Sequence, residues 1–120
     1  MKRNLELVRK ILLAMESHEH GFYSEYPEIE NYTKEEIGYH AFIMKQAGLI
    51  DAAERSNLSS KSPDAVPINL TWLGHEFLES TKDEKLWEKA KKVVIEPVGG
   101  IAIDVLTEWL KAEAKSKLGI

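Results

Sequence analysis

An apolar stripe near the start of the chain predicts the first helix. Leu5, Val8 and Leu12 recur at intervals of three and four residues, which places them on one face of a helix. The side chain of Asn4 can accept a hydrogen bond from the free backbone N–H groups of the first turn. We therefore predict a helix that is capped by Asn4 and ends near Ser17, where polar residues interrupt the stripe.

A capping box predicts the start of a second helix. In this arrangement the Thr33 hydroxyl accepts from the backbone N–H of Glu36, and the Glu36 side chain reaches back to the backbone of Thr33. Gly48 can adopt the left-handed conformation that ends a helix, so we expect the helix over residues 33–47. Its predicted inner stripe consists of Ile37, His40 or Ala41, Met44 and Ala47.

Two short strands are predicted after this helix. Residues 51–55 and 67–71 can each form a strand, and the polar loop 56–66 between them makes the pair a hairpin. Between the first two helices, residues 22–30 mix aromatics, acids and a proline. This composition predicts an extended segment or a short edge strand.

The remainder of the chain is predicted to be helical. A helix that begins at Trp72 has Leu73 and Phe77 on one face, and we expect all three side chains to lie in the core. A second capping box is predicted at residues 81–84. A proline and two glycines then break the chain before a last helix over about residues 101–118.

Length and composition describe one globular domain. The 120 residues are 43% hydrophobic and 30% charged, which suits a single core and differs from disordered or membrane proteins. The absence of cysteine excludes disulfides and thiol chemistry. Charged residues interrupt the apolar positions near the N-terminus, so we expect no signal peptide, no membrane association and a cytoplasmic location.

Charge is distributed unevenly along the sequence. The first 10 residues carry four cations and one acid, whereas residues 16–54 carry nine acids and two cations, a net charge of -7. An acidic surface repels the phosphate backbone of nucleic acid. The middle of the chain is therefore unfavourable for binding DNA.

The order of predicted elements resembles the second half of a winged helix. In that fold the helix before the hairpin is the recognition helix, and the loop between the strands is the wing. The helix that normally precedes the recognition helix is not evident in residues 21–31. The matching blocks are Ala47-Gly48-Leu49-Ile50, Leu70-Thr71 and Trp72-Leu73-Gly74.

Three blocks of the sequence are similar to the bacterial and prophage family called domain of unknown function 2513. They are residues 1–13, Tyr39-His40 with residues 47–50, and residues 70–78. The resemblance implies a mostly helical, winged-helix-like fold with a small β-hairpin, and a phage or prophage setting. We expect one domain, with a winged-helix core over 1–80 and a helical extension over 81–120. The family supplies no biochemical activity.

No group of residues matches a catalytic motif, so we expect neither an enzyme nor a bound cofactor. His18 and His20 lie beside Glu16, but the sequence offers no further ligands at rigid spacing, and we expect no metal site. His40 and His75 are predicted to be buried or half-buried and to donate to backbone carbonyls.

Two functions from different classes remain open. The first is a DNA-binding regulator, in which the second helix enters the major groove of duplex DNA and the wing lies on phosphate. The residues predicted to contact DNA are Lys34, Lys45, Gln46, Arg55 and Lys61. The predicted outward positions of the helix are Lys34, Glu35, Gly38, Phe42, Lys45 and Gln46.

The second function is a winged helix that binds a protein, such as a phage accessory factor acting on a host protein. The acidic middle of the chain and an outward Phe42 favour this function, because exposed aromatics are enriched in protein interfaces. Val105 and Trp109 on the last helix are predicted to form an interface as well. That helix either closes the core or pairs two copies of the chain as a homodimer.

Overall fold

The computed structural model describes residues 1–119 and consists of helices with one two-stranded antiparallel hairpin, as the sequence predicts. The chain separates into two compact units, one of residues 1–75 and one that begins at residue 76. We describe each unit by itself. Among the described residues, no helix is long and apolar enough to cross a membrane.

Helix α1 spans Leu5–Glu16, as predicted, and begins where the Asn4 side chain accepts from the backbone N–H of Leu7. Its apolar stripe is buried in the first unit; Leu7, Ile11 and Leu12 are fully enclosed. Burial of each such side chain contributes about 1.5–3 kcal/mol. The apolar face of α1 is therefore core.

Helix α2 spans Lys34–Gln46 and has the predicted capping box, with both of its hydrogen bonds present. Gly48 ends the helix at a φ of 79°, and the backbone N–H of Leu49 donates to the carbonyl of Met44. The buried side of α2 consists of Ile37, Gly38, His40, Ala41 and Met44. Ala47 was predicted to be inward but is exposed, because it follows the last helical turn.

The segment between α1 and α2 contains neither a helix nor a strand. It meets the hairpin where the backbone N–H of Tyr23 donates to the carbonyl of Ile68. The predicted edge strand is thus reduced to one backbone hydrogen bond, and residues 22–31 contain no short helix.

Strands β1, Ile50–Glu54, and β2, Ala65–Leu70, form the predicted hairpin, with β2 beginning two residues earlier than expected. A register shift between Asp51 and Ala52 leaves Ile68 without a partner on β1, and its carbonyl accepts from Tyr23 instead. The loop 55–64 is closed at its base by a hydrogen bond from the Arg55 N–H to the Asp64 carbonyl.

Helix α3 spans Trp72–Ser80 and begins where the Thr71 hydroxyl accepts from the backbone N–H of Gly74. A Cβ at position 74 would collide with the carbonyl oxygen of Leu49, so only glycine allows this close approach. Phe77 is buried as predicted, but Trp72 and Leu73 are exposed, and their prediction as core residues is wrong. The inner side of α3 is centred on Gly74, which places Trp72 on the opposite side.

The second unit contains the rest of the helices. They are α4, Glu84–Ala90, a π-helical turn, Lys91–Ile95, the short α5, Glu96–Val98, and α6, Ile103–Leu118. Trp87 is fully buried and meets Phe77 edge to face, with 6.5 Å between ring centroids. Asp83 caps α4, whereas Thr81 is buried and donates to the carbonyl of Leu78, so the capping box predicted at residues 81–84 is wrong.

Candidate interaction surface

The outward side of α2 is covered at its centre by the base of the hairpin loop 55–64. Gly38 was predicted to point outward but is buried, because the carboxylate of Asp64 lies directly over it. The approach is so close that a Cβ at position 38 would collide with this carboxylate. The phenol of Tyr26 donates to the same carboxylate over a distance of 2.7 Å. Asp64 therefore holds loop 55–64 and the segment before α2 together over Gly38.

The first turn of α2 is engaged by further contacts within the chain. The Ser62 hydroxyl in loop 55–64 donates to the Glu35 carboxylate at 2.8 Å. The ammonium group of Lys34 lies 4.7 Å from the centroid of the Tyr26 ring, within the range of a cation–π interaction. Lys34 is thus exposed but already directed at an aromatic ring.

The Tyr26 phenol is held in its protonated form by its surroundings. Burial raises the pKa of Tyr26 to about 12, and the hydrogen bond to the Asp64 carboxylate acts in the same direction. A neutral phenol is needed here because only the protonated oxygen can donate to Asp64. The phenol therefore keeps the proton that it donates to Asp64 over the whole physiological pH range.

The other residues predicted to contact DNA are exposed and lie on separate elements. Lys45 and Gln46 end α2, whereas Arg55 and Lys61 belong to loop 55–64. Exposed carboxylates at Asp51 and Glu54 lie on β1, between these two groups in the sequence. The cations therefore form no uninterrupted basic stripe along the chain.

The residues predicted to contact protein differ in their exposure. Phe42 was predicted to be substantially exposed, but it is half-buried and the prediction is wrong in degree. Val105 is 55% exposed on α6. Trp109 is half-buried, and the ammonium group of Lys89 lies 5.9 Å from its ring centroid.

An exposed aromatic surface lies instead at the start of α3. Trp72 is 80% exposed and Leu73 is 45% exposed. A Cβ at Gly48 would be 3.9 Å from the Leu73 side chain, so this surface adjoins the end of α2. Sequence reasoning misses this surface because apolar residues at the start of a helix predict core positions. Gly74 is the signal in the sequence that marks the inner side of the helix.

The histidines have different environments. His40 is buried; its Nδ1 donates to the carbonyl of Glu36 at 2.8 Å, as predicted, and its Nε2 accepts from the backbone N–H of Asn4 at 2.9 Å. His75 is exposed, so its predicted burial is wrong. Within residues 1–119, no group of three or more histidines and carboxylates is placed to hold a metal ion.

A mostly helical domain with a small hairpin and an exposed aromatic surface is the class of protein that this structure defines. The chain belongs to the family described as hypothetical protein, domain of unknown function 2513, whose model matches residues 2–101. An uncharacterized protein of Haemophilus influenzae is similar, with 31% identity over 109 residues, which cover 90% of this chain and 91% of that protein. No solved structure matches the chain significantly.

Proposed function

We propose that this chain is a winged-helix-like module that binds a partner protein through the surface at the start of α3. The observation that carries the proposal is the exposure of Trp72, at 80% of its surface. Tryptophan is among the residues most enriched at the energetic centres of protein interfaces, and it is seldom left in water on an isolated domain. Leu73 beside it extends the apolar surface.

The winged-helix assignment is supported by the order of elements from α2 to α3. A helix, a strand, a loop, a second strand and a helix follow one another as in the second half of that fold. The irregular segment between α1 and α2 replaces the helix that would normally brace a recognition helix against DNA. This replacement favours a module that uses the fold for protein contact.

Electrostatics around α2 also favours a protein partner. Glu35 is exposed on the first turn, and Gly38 in the middle of the helix is covered by Asp64. A helix that reads base edges needs an open and basic outward side. In a phage or prophage setting, the natural partner of such a module would be a host protein.

Photo-crosslinking tests this proposal in bacterial cells that produce the protein. Trp72 is replaced by p-benzoylphenylalanine, and the matched control places the same group at Leu58, which is fully exposed in the wing loop. We expect a discrete crosslinked protein from position 72 and none from position 58. Equal labelling from both positions, or none from position 72, would contradict the proposal.

A DNA-binding regulator is the second candidate function. The exposed side chains of Lys45, Gln46, Arg55 and Lys61 favour it, because these four can reach a ligand without rearrangement of the chain. DNA binding would then weaken as salt is added. The slope of log affinity against log salt concentration would be about -0.9 for each phosphate that the protein neutralises. Binding to duplex DNA that persists at physiological salt would favour this candidate over the first.

Homodimer formation through α6 is a separate proposal. Val105 is 55% exposed on this helix, and Trp109 is half-buried close by in sequence. Pairing of two such helices would remove apolar surface from water. Light scattering after size exclusion should then report a dimer that Val105→Glu converts to a monomer, whereas a monomeric wild-type protein would refute the proposal.

A further inference from the structure

A groove with a volume of about 590 Å³ opens beside the C-terminal end of α1. Its lining includes Met15 from α1, Phe22 from the following segment and Leu70 from the end of β2, all within the first unit. Phe22 is 73% exposed, so the groove offers an aromatic ring directly to solvent. We call this feature the Phe22 groove.

The charged side chains of the Phe22 groove are acidic. Glu16 and Glu19 contribute to its lining, and no lysine or arginine does so among residues 1–119. The other ionisable side chains of the lining are those of His18, His20 and His75. The groove therefore presents carboxylates beside apolar surface.

The groove adjoins the surface that the proposed function uses. His75 lies one helical turn after Trp72 on α3, and residues three apart on a helix are neighbours on its surface. Leu70 of the groove is separated from Trp72 by Thr71 alone. A partner that covers Trp72 would therefore lie next to the groove.

We propose that the Phe22 groove binds an extended segment of the partner protein in which basic and large apolar residues alternate. This inference rests on the proposed function and names the chemistry of the partner. Arginine or lysine of the segment would meet Glu19 and the face of Phe22, where carboxylate and ring both attract a cation. The apolar residues of the segment would pack on the accessible part of Leu70 and on the edge of the Phe22 ring.

The chemistry of the lining distinguishes this ligand from other classes. A nucleic acid would bring phosphates against Glu16 and Glu19, and like charges placed together oppose association. Metal binding would need ligands converging on one point, and the described histidines and carboxylates form no such group. A basic peptide satisfies both the charge and the apolar surface.

Fluorescence anisotropy with a defined peptide tests the inference. The probe is a fluorescein-labelled heptapeptide that alternates arginine and leucine, and the matched probe has glutamate in place of arginine. At about pH 8 and low salt, where screening of charges is weak, we expect the arginine peptide to bind and the glutamate peptide to bind at least about tenfold more weakly. Phe22→Ala should weaken binding of the arginine peptide by about fivefold or more.

Charge reversal separates a specific site from general attraction to an acidic protein. Glu19→Lys should weaken binding of the arginine peptide and strengthen binding of the glutamate peptide. The ratio of the two affinities should therefore shift by about tenfold or more. The control Glu54→Lys changes net charge equally, at an exposed position on β1 outside the groove. This variant should shift the preference much less. A loss of folding is recognised by the thermal unfolding curve and would weaken both peptides.

The outcomes distinguish the groove from the function on which it rests. Equal effects of Glu19→Lys and Glu54→Lys, or no binding of the arginine peptide, would overturn the groove proposal even if position 72 crosslinks a partner. If the preference between the two peptides follows the charge at position 19 but position 72 gives no crosslink, the groove proposal is supported. The proposal that the surface at the start of α3 binds a partner is then contradicted. Success of both experiments supports the two together.

Discussion

The hydrogen bonds of His40 make the free energy of unfolding depend on pH. The side chain is only 2% exposed, its Nδ1–H donates to the carbonyl of Glu36, and its Nε2 accepts from the backbone N–H of Asn4. Both bonds require a neutral imidazole with its proton on Nδ1. If Nε2 were protonated, its N–H would face the backbone N–H of Asn4, and two hydrogen-bond donors would repel each other between α2 and the start of α1.

The sign of the effect follows from the direction of the pKa shift. Burial holds the pKa of His40 below its ordinary value of 6.5, while the hydrogen bond to the Glu36 carbonyl and the charge of the Glu36 carboxylate oppose this in part. Below pH 6.5 the unfolded chain therefore binds the proton more readily than the folded chain does. The contribution of neutral His40 to the free energy of unfolding is fully present above pH 6.5. It falls with decreasing pH, by up to about 1.4 kcal/mol per pH unit, until the pH reaches the pKa of His40 in the folded chain.

Urea unfolding from about pH 5 to about pH 7.5 measures this dependence. His40→Gln removes the titration but keeps a side chain that can donate and accept, so the stability difference between wild type and variant should shrink as the pH falls below about 6.5. His75→Gln is the matched control because His75 is exposed, and its curve should follow that of the wild type. Parallel curves for wild type and His40→Gln would refute the reasoning.

Three further predictions follow from the fold and the interaction surface. Phe77→Ala should lower the free energy of unfolding by about 3 kcal/mol or more because the ring is fully buried. Trp72→Ala, on the exposed side of the same helix, should change it by less than about 0.5 kcal/mol. Comparable losses for the two variants in urea unfolding would contradict the assigned sides of α3. Gly38→Ala should displace Asp64 and lower the pKa of Tyr26, and an unchanged ultraviolet titration of the phenol would contradict the contact. A monomer should bind random duplex DNA weakly and with strong salt dependence, and tight binding at physiological salt that is lost in Lys45→Glu would contradict the proposal of a protein partner.

Local signals in the sequence were sufficient to place α1, α2 and the hairpin of the first unit to within about two residues. Asn4, Thr33 and Gly48 each act within one turn of their own position, through a hydrogen bond or a backbone conformation that the residue itself supplies. The structure confirms α1, α2 and the hairpin for this reason. Where two signals competed, at Thr81 and Asp83, the choice of cap depended on which side chain was buried.

The candidate site depended on contacts between distant residues. Periodicity identifies an apolar side of α3 only to within a residue or two, and the contact of Gly74 with Leu49 decides that Trp72 points to solvent. On α2, periodicity assigns Gly38 to the outside, and the carboxylate of Asp64 covers it.

The sequence by itself therefore determined the helices, the hairpin and the acidic character of the middle of the chain, since these depend on residues close together along the backbone. Only the tertiary structure decided which outward side chains stay in water. Solvent exposure is a property of what packs against a surface, and the residues that pack on Gly38 and Gly74 are 26 and 25 positions away.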